Sequence, residues 1–147
     1  MTHLNNITSE KPLVSVIINC FNGEKYLREA LDSVVTQTYK NWEIIFWDNQ
    51  SADKSAEIFK SYKDARFKYY YAPKHSKILY EARNYAIAKA NGDFFAFLDV
   101  DDWWKENYLS SREKLFNNEN YDYFYSNVFM FYEKYNKYKK YIFISIT

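Results

Sequence analysis

The densest chemistry in the sequence is Asp99-Val100-Asp101-Asp102, set directly after the apolar run Phe94-Phe95-Ala96-Phe97-Leu98. Asp99 and Asp101 are two residues apart, so in extended chain both point to one side. Oxygen-only ligands on a rigid strand end suit a hard divalent cation, Mg²⁺ or Mn²⁺, which commonly completes its shell with phosphate oxygens and water. Capping is the plainer alternative, with Asp101 or Asp102 closing a turn around Trp103-Trp104. Three aspartates in four residues, straight after a strand, are hard to explain by capping alone. Two other apolar runs also stop at polar clusters: Leu13 to Cys20 ends in Cys20-Phe21-Asn22, and Trp42 to Trp47 ends in Asp48-Asn49-Gln50. Asp48, Asp99, Asp101 and Asp102 on neighbouring strand ends would repel one another unless a cation or donor-rich ligand sat among them. His75 reads as a solvated loop histidine, and Trp103 and Trp104 are open to two readings, as the lining of a ligand subsite or as core aromatics.

These clusters meet only if the runs are strands of one sheet. The β-branched stretch Leu13 to Cys20 suits a parallel strand buried on both faces, and Asn22-Gly23 breaks it. Leu27, Ala30, Leu31, Val34 and Val35 then fall at helical spacing. A second strand covers Trp42 to Trp47. Ser51 or Asp53 caps a second helix carrying Ile58, Phe59 and Tyr62. Phe67 to Tyr71 is a third strand, stopped by Pro73. A third helix carries Leu79, Ala82, Ala86 and Ala90, with Gly92 as its C-terminal stop. Phe94 to Leu98 is a fourth, buried strand, Tyr108 to Phe116 a fourth helix, and Tyr121 to Phe131 a fifth strand. The alternation predicts an α/β fold, a mostly parallel sheet with helices on both faces. In strand order 3-2-1-4 the reversal lies between the first and fourth strands, and ligands of such sheets bind beyond the carboxyl ends at that point.

Composition narrows the functions. The 147 residues suffice for one domain, and 48% are hydrophobic, ample for a packed core. Gly23 and Gly92 stand far apart, which excludes a Gly-rich P-loop and a GxGxxG fingerprint. A net charge of +1 provides no strong field for nucleic acid. The single Cys20 excludes a disulfide framework and a Cys-cluster zinc site. No run approaches the roughly twenty apolar residues of a membrane span, and the N-terminus lacks a signal-peptide pattern. A soluble, cytoplasmic setting is the expectation, with the inner face of a membrane as one place of work.

Residues 1–11 read as a loose tail, 12–131 as the ligand-binding domain, and 132–147 as a hairpin or edge-strand tail. Within that tail Tyr132 to Lys140 alternates aromatic and basic residues. It would suit an anionic membrane or nucleic acid, but a polar hairpin joining two strands is the favoured reading.

Taken together, the chain resembles the family 2 inverting glycosyltransferases of the GT-A fold. The resemblance rests on Val14 to Asn22, Gln37-Thr38-Tyr39, Trp42-Glu43-Ile44-Ile45, Asp48-Asn49-Gln50-Ser51-Ala52-Asp53, Ala82-Arg83-Asn84 and Asn91 to Asp102. It implies a Rossmann-like nucleotide-binding domain for a nucleotide diphosphate sugar, with a glycan or lipid-linked acceptor and a role in surface glycan synthesis. It implies that Cys20, Phe21, Asn22, Asp48 and Asn49 hold the base and ribose, and that Arg83 faces the diphosphate or the donor sugar, with packing of its helix as the alternative role. It implies that Asp99, Asp101 and Asp102 hold the metal, with Asp99 also on the nucleotide.

The chain departs from the family at three places. Many relatives have Pro-Thr-Tyr-Asn where this chain has Asn19-Cys20-Phe21-Asn22, and Asp-Asp-Gly-Ser where it has Asp48-Asn49-Gln50-Ser51. The family's catalytic base lies well downstream of the metal motif, yet 45 residues follow Asp102 here, and Glu119, Asp122 and Glu133 sit in no matching motif. The catalytic base is therefore unassigned. The expectation is a nucleotide-binding half with a truncated acceptor half, whose exposed sheet edge could invite self-association. Two other readings compete: a donor-binding or assembly module without transfer activity, and a nucleotidyltransferase. The latter is disfavoured because no Gly- and basic-rich loop follows the first strand to cradle a triphosphate.

Overall fold

The computed structural model describes residues 11–116 and the two strand segments 128–132 and 137–141. The chain divides into two compact units, Met1–Asn117 and Asn118–Thr147. In the first, a four-stranded parallel sheet takes the order β3-β2-β1-β4, with β1 Val14–Cys20, β2 Trp42–Asp48, β3 Phe67–Tyr71 and β4 Phe94–Phe97. This is the order under which the sequence places a ligand site at the strand ends, and the reversal falls between β1 and β4.

Helices α1 (Leu27–Val35) and α2 (Ser55–Ser61) lie on one face, and α3 (Leu79–Ile87) lies on the other. Strand parity sorts the two cores. Val14, Val16, Ile18, Trp42, Ile44 and Phe46 pack with Leu27, Ala30, Leu31, Val34 and Phe59. On the opposite face Ile17, Ile45 and Trp47 meet Ala82 and Ala86, whose small side chains let α3 approach the sheet closely. Val35, read with the apolar stripe of α1, is exposed instead.

Several elements differ from expectation. Phe94 to Leu98 is not buried throughout: Phe94 and Ala96 pack into the larger core, while Phe95 and Phe97 are exposed. The reason is position, since among the described residues β4 pairs on one side only, with β1. Leu79 is exposed and Ala90 lies beyond the end of α3. Gly92 does not stop the helix; a Cβ there would meet the Ser15 backbone nitrogen at 2.6 Å, so glycine permits close passage over β1. The fourth helix shortens to a 3₁₀ turn, Ser110–Arg112, and a single turn, α4 Glu113–Phe116. The hydroxyls of Ser110 and Ser111 donate to the carbonyls of Asn107 and Tyr108, competing with the helical ladder. Neither Ser51 nor Asp53 is the N-cap of α2; Lys54 occupies that position.

The second unit contains an antiparallel hairpin, β5 Val128–Tyr132 with β6 Lys137–Tyr141. The aromatic-basic alternation thus enters a paired strand. Residues 121–127 of the expected fifth strand, the tail residues 1–10, and Glu119, Asp122 and Glu133 lie outside the described residues.

Candidate functional site

The ends of β1 and β2 are laced together. The Asn49 N–H donates to the Cys20 carbonyl at 2.8 Å, the Asn22 N–H to Ser51 Oγ at 3.0 Å, and the Ala52 N–H to Asn22 Oδ1 at 2.8 Å. Asn22 and Gln50 both adopt left-handed backbone, with φ of 55° and 69°. Asparagine tolerates that region; glutamine does so at a cost of about 1–2 kcal/mol. Asp48 is fully buried. Its Oδ2 accepts the Tyr69 hydroxyl at 2.6 Å and its Oδ1 the Ser51 N–H at 2.7 Å. Burial and the Asp48 carboxylate push the Tyr69 phenol upward, so it stays a donor.

The Asn49 amide is equally committed. Nδ2 donates to the Ser76 carbonyl at 2.8 Å, and Oδ1 accepts the Ser76 N–H at 2.9 Å. His75 Nδ1 meets the Asn49 carbonyl at 2.8 Å, and its ring sits 4.5 Å from that of Phe21. It is therefore not a solvated loop histidine. Cys20 is buried, and burial pushes its thiol up, which leaves it a poor nucleophile. Phe21 alone of this group presents an open ring, 53% exposed.

The end of β4 is of another kind. Asp99 Oδ1 accepts Arg83 Nη2 from α3 at 2.6 Å, an ion pair with both partners partly exposed. The same guanidinium lies over Phe97, 5.4 Å from the ring centroid. Asp102 donates its N–H to the Asp99 carbonyl at 3.0 Å, closing a turn that keeps three carboxylates close. The Asp102 carboxyl is raised by partial burial and then by the charges of Asp101 and Asp99. Of the two tryptophans, Trp104 joins the core and stacks on Tyr108, while Trp103 is exposed.

Among the described residues no three His, Cys, Asp or Glu side chains converge as a ready metal cluster. Asp99 is held by Arg83. Asp101 and Asp102 remain as exposed hard-oxygen donors whose mutual repulsion a cation would relieve. The set fits a cation bound by two carboxylates that takes its remaining ligands from a phosphate and water.

A sequence model described as glycosyl transferase family 2 matches residues 15–146. The chain belongs to that family. Among curated family 2 relatives, glycosyltransferase GlyA of Streptococcus pneumoniae serotype 4 is 37% identical over 101 residues, covering 69% of this chain and 14% of GlyA. WfgD of Escherichia coli, a UDP-Glc:alpha-D-GlcNAc-diphosphoundecaprenol beta-1,3-glucosyltransferase, is 35% identical over 115 residues, covering 78% of this chain and 45% of WfgD. The crystal structure of Staphylococcus aureus TarS residues 1–349 with UDP-GlcNAc superposes with a TM-score of 0.67 at 27% identity, over 73% of this chain and 32% of that one. The chain thus spans less than half the length of these family members. Their match supports the GT-A architecture of the sheet. Among the described residues no helix is long and apolar enough to cross a membrane.

Three residues of this candidate site escaped the sequence. Tyr69 was legible in principle, since strand parity puts it on the Asp48 face of β3. His75 and Ser76 were not, because no periodicity links a loop residue to Asn49, 26 or 27 positions earlier.

Proposed function

We propose that this chain is the donor-binding domain of a glycosyltransferase, which binds a nucleotide diphosphate sugar with Mg²⁺ or Mn²⁺. Transfer goes with inversion to a hydroxyl of a glycan or lipid-linked acceptor, in surface glycan synthesis. The observation that carries this reading is the end of β4, where Asp99 takes Arg83 while the Asp101 and Asp99 carboxylates crowd that of Asp102. The UDP-GlcNAc complex of TarS and the lipid-linked acceptor in the name of WfgD support donor and acceptor class.

In this reading the Phe21 ring takes a face of the base, and Cys20, Asn22, Asp48 and Asn49 build the wall behind it. Asp101 and Asp102 hold the cation, with Asp99 beside them turned towards Arg83. When bound, the cation supplies charge neutralisation at the diphosphate leaving group without proton transfer. Arg83 adds a second positive charge there. The acceptor hydroxyl attacks from the opposite face and gives its proton to a general base.

Calorimetry with UDP, GDP and CDP, each with and without Mn²⁺, tests donor binding. Metal-dependent heat for at least one is expected; none for any of them would overturn the reading. A second reading is a donor-binding module without transfer. Turnover of the bound nucleotide sugar with acceptor hydroxyls separates the two: binding without transfer or hydrolysis selects the module.

A further inference from the structure

Asn19 interrupts the apolar run of β1 one residue before its end. Strand parity puts it with Ile17 on the α3 side of the sheet, opposite Trp47 of β2. On the other side β4 pairs with β1 only as far as Ile17, and after the Leu98 N–H donates to the Ile17 carbonyl the two chains part. Asn19 therefore stands where the strand order reverses. Two residues on is the exposed Phe21, and two residues beyond Phe97, the last β4 residue paired with β1, is the Asp99 that takes Arg83.

Both polar atoms of its amide, Oδ1 and Nδ2, are buried and have no hydrogen-bond partner among the described residues. The other buried amides behave differently. Gln37 donates to the carbonyls of Ser33 and Lys105 and accepts the Leu109 N–H, and Asn49 is closed on Ser76. A wholly unpaired buried amide is costly, and an aliphatic residue of the same size would serve the fold better. Asn19 as a residue is partly exposed although its polar atoms are not, so rotation of the side chain is enough to present them.

We propose that Asn19 is a ligand-binding residue of the donor site, its amide reserved for a ligand edge that offers a hydrogen-bond donor beside an acceptor. The ribose diol and the imide edge of a uracil base both have that chemistry. The assignment rests on the donor-binding reading above.

The test combines melting and calorimetry on the full chain, as wild type, Asn19→Leu and Asn19→Ala. Without ligand Asn19→Leu melts about 3–6 °C above wild type, because an unpaired amide has been removed. With Mn²⁺ present, both variants bind UDP about tenfold more weakly. If the loss disappears when 2′,3′-dideoxyuridine diphosphate replaces UDP, the diol is the partner; if it persists, the base edge is, and either result supports the assignment. UDP affinity of both variants within twofold of wild type overturns it, as does a lower melting temperature for Asn19→Leu, which would show the amide satisfied in the folded protein. Should Asn19→Leu fail to fold, the affinity of Asn19→Ala decides. Failure of wild type to bind any nucleoside diphosphate is a different result: it overturns the donor reading itself, and this assignment with it.

Discussion

Two acidic turns close two strands of the same sheet, and they do opposite things. After β2, Asp48 is fully buried, with its oxygens bound by Tyr69 and the Ser51 N–H, and Asn49 is closed on Ser76. After β4, Asp101 and Asp102 stand exposed, with Asp99 held by a partly exposed arginine. Carboxylates at strand ends are thus not one class. Hydrogen bonding from inside makes the first a scaffold, whereas in the second the carboxylates repel one another with Arg83 as the cation paired to Asp99, and the proposed reading gives that turn to a cation.

The contrast can be broken most forcefully at Asp48. Asp48→Ala removes a charged acceptor and strands the Tyr69 hydroxyl in the core, so a loss of about 2–4 kcal/mol is expected. Urea unfolding reads it as a fall in midpoint without a change in slope. A loss below about 0.5 kcal/mol would mean that the β2 turn is not a scaffold.

Asp101→Ala is the mirror experiment. Stability in metal-free buffer should stay within about 0.5 kcal/mol, as for an exposed side chain with no hydrogen-bond partner among the described residues. Metal-dependent nucleoside diphosphate binding should fall at least about tenfold. If the melting temperature in metal-free buffer collapsed while affinity held, capping of the Trp103-Trp104 turn would be the role of Asp101.

The fold was largely legible because strand and helix periods are written into side chains that must be buried. The run Val14 to Cys20 and the stripe Leu27, Ala30, Leu31, Val34 have few alternative readings, whereas the order 3-2-1-4 enters the sequence reading as a premise and is supplied by the structure. The site was legible only as a list of residue types. Asp48 and Asp99 look alike in sequence; Tyr69, which separates them, arrives through the register of β3 on β2. The exposure of Phe95 and Phe97 was hidden for the same reason, since a run of aromatics does not say whether its strand is central or at an edge.

One departure from the family pattern has a backbone meaning. Gln50 stands where many relatives have glycine, and its φ is 69°. Gln50→Gly should therefore stabilise by about 0.5–1 kcal/mol, less the long 3.3 Å bond from Gln50 Nε2 to the Ala72 carbonyl. A rise in urea midpoint checks this. A fall would show that the tie to Ala72, at the end of β3, matters more than the strain, and would make the β2 turn still more of a scaffold.

The finest difference between the turns is in their pH response. The Asp102 carboxyl is raised by partial burial and by Asp101 and Asp99. In the folded state it therefore binds its proton more tightly than in the unfolded chain, where the ordinary value is about 3.9. The sign follows: a stability penalty is fully present above the raised value, is relieved as pH falls through it, and is absent once both states are protonated. Asp102→Asn should melt slightly above wild type at pH 7 in metal-free buffer, and the gain should shrink steadily towards pH 3.5. Adding Mn²⁺ at pH 7 should narrow the same gap from the other side, by neutralising the carboxylates of the wild type. A gain that stayed constant across pH would place its origin in turn propensity, and the β4 turn would then owe nothing to carboxylate repulsion.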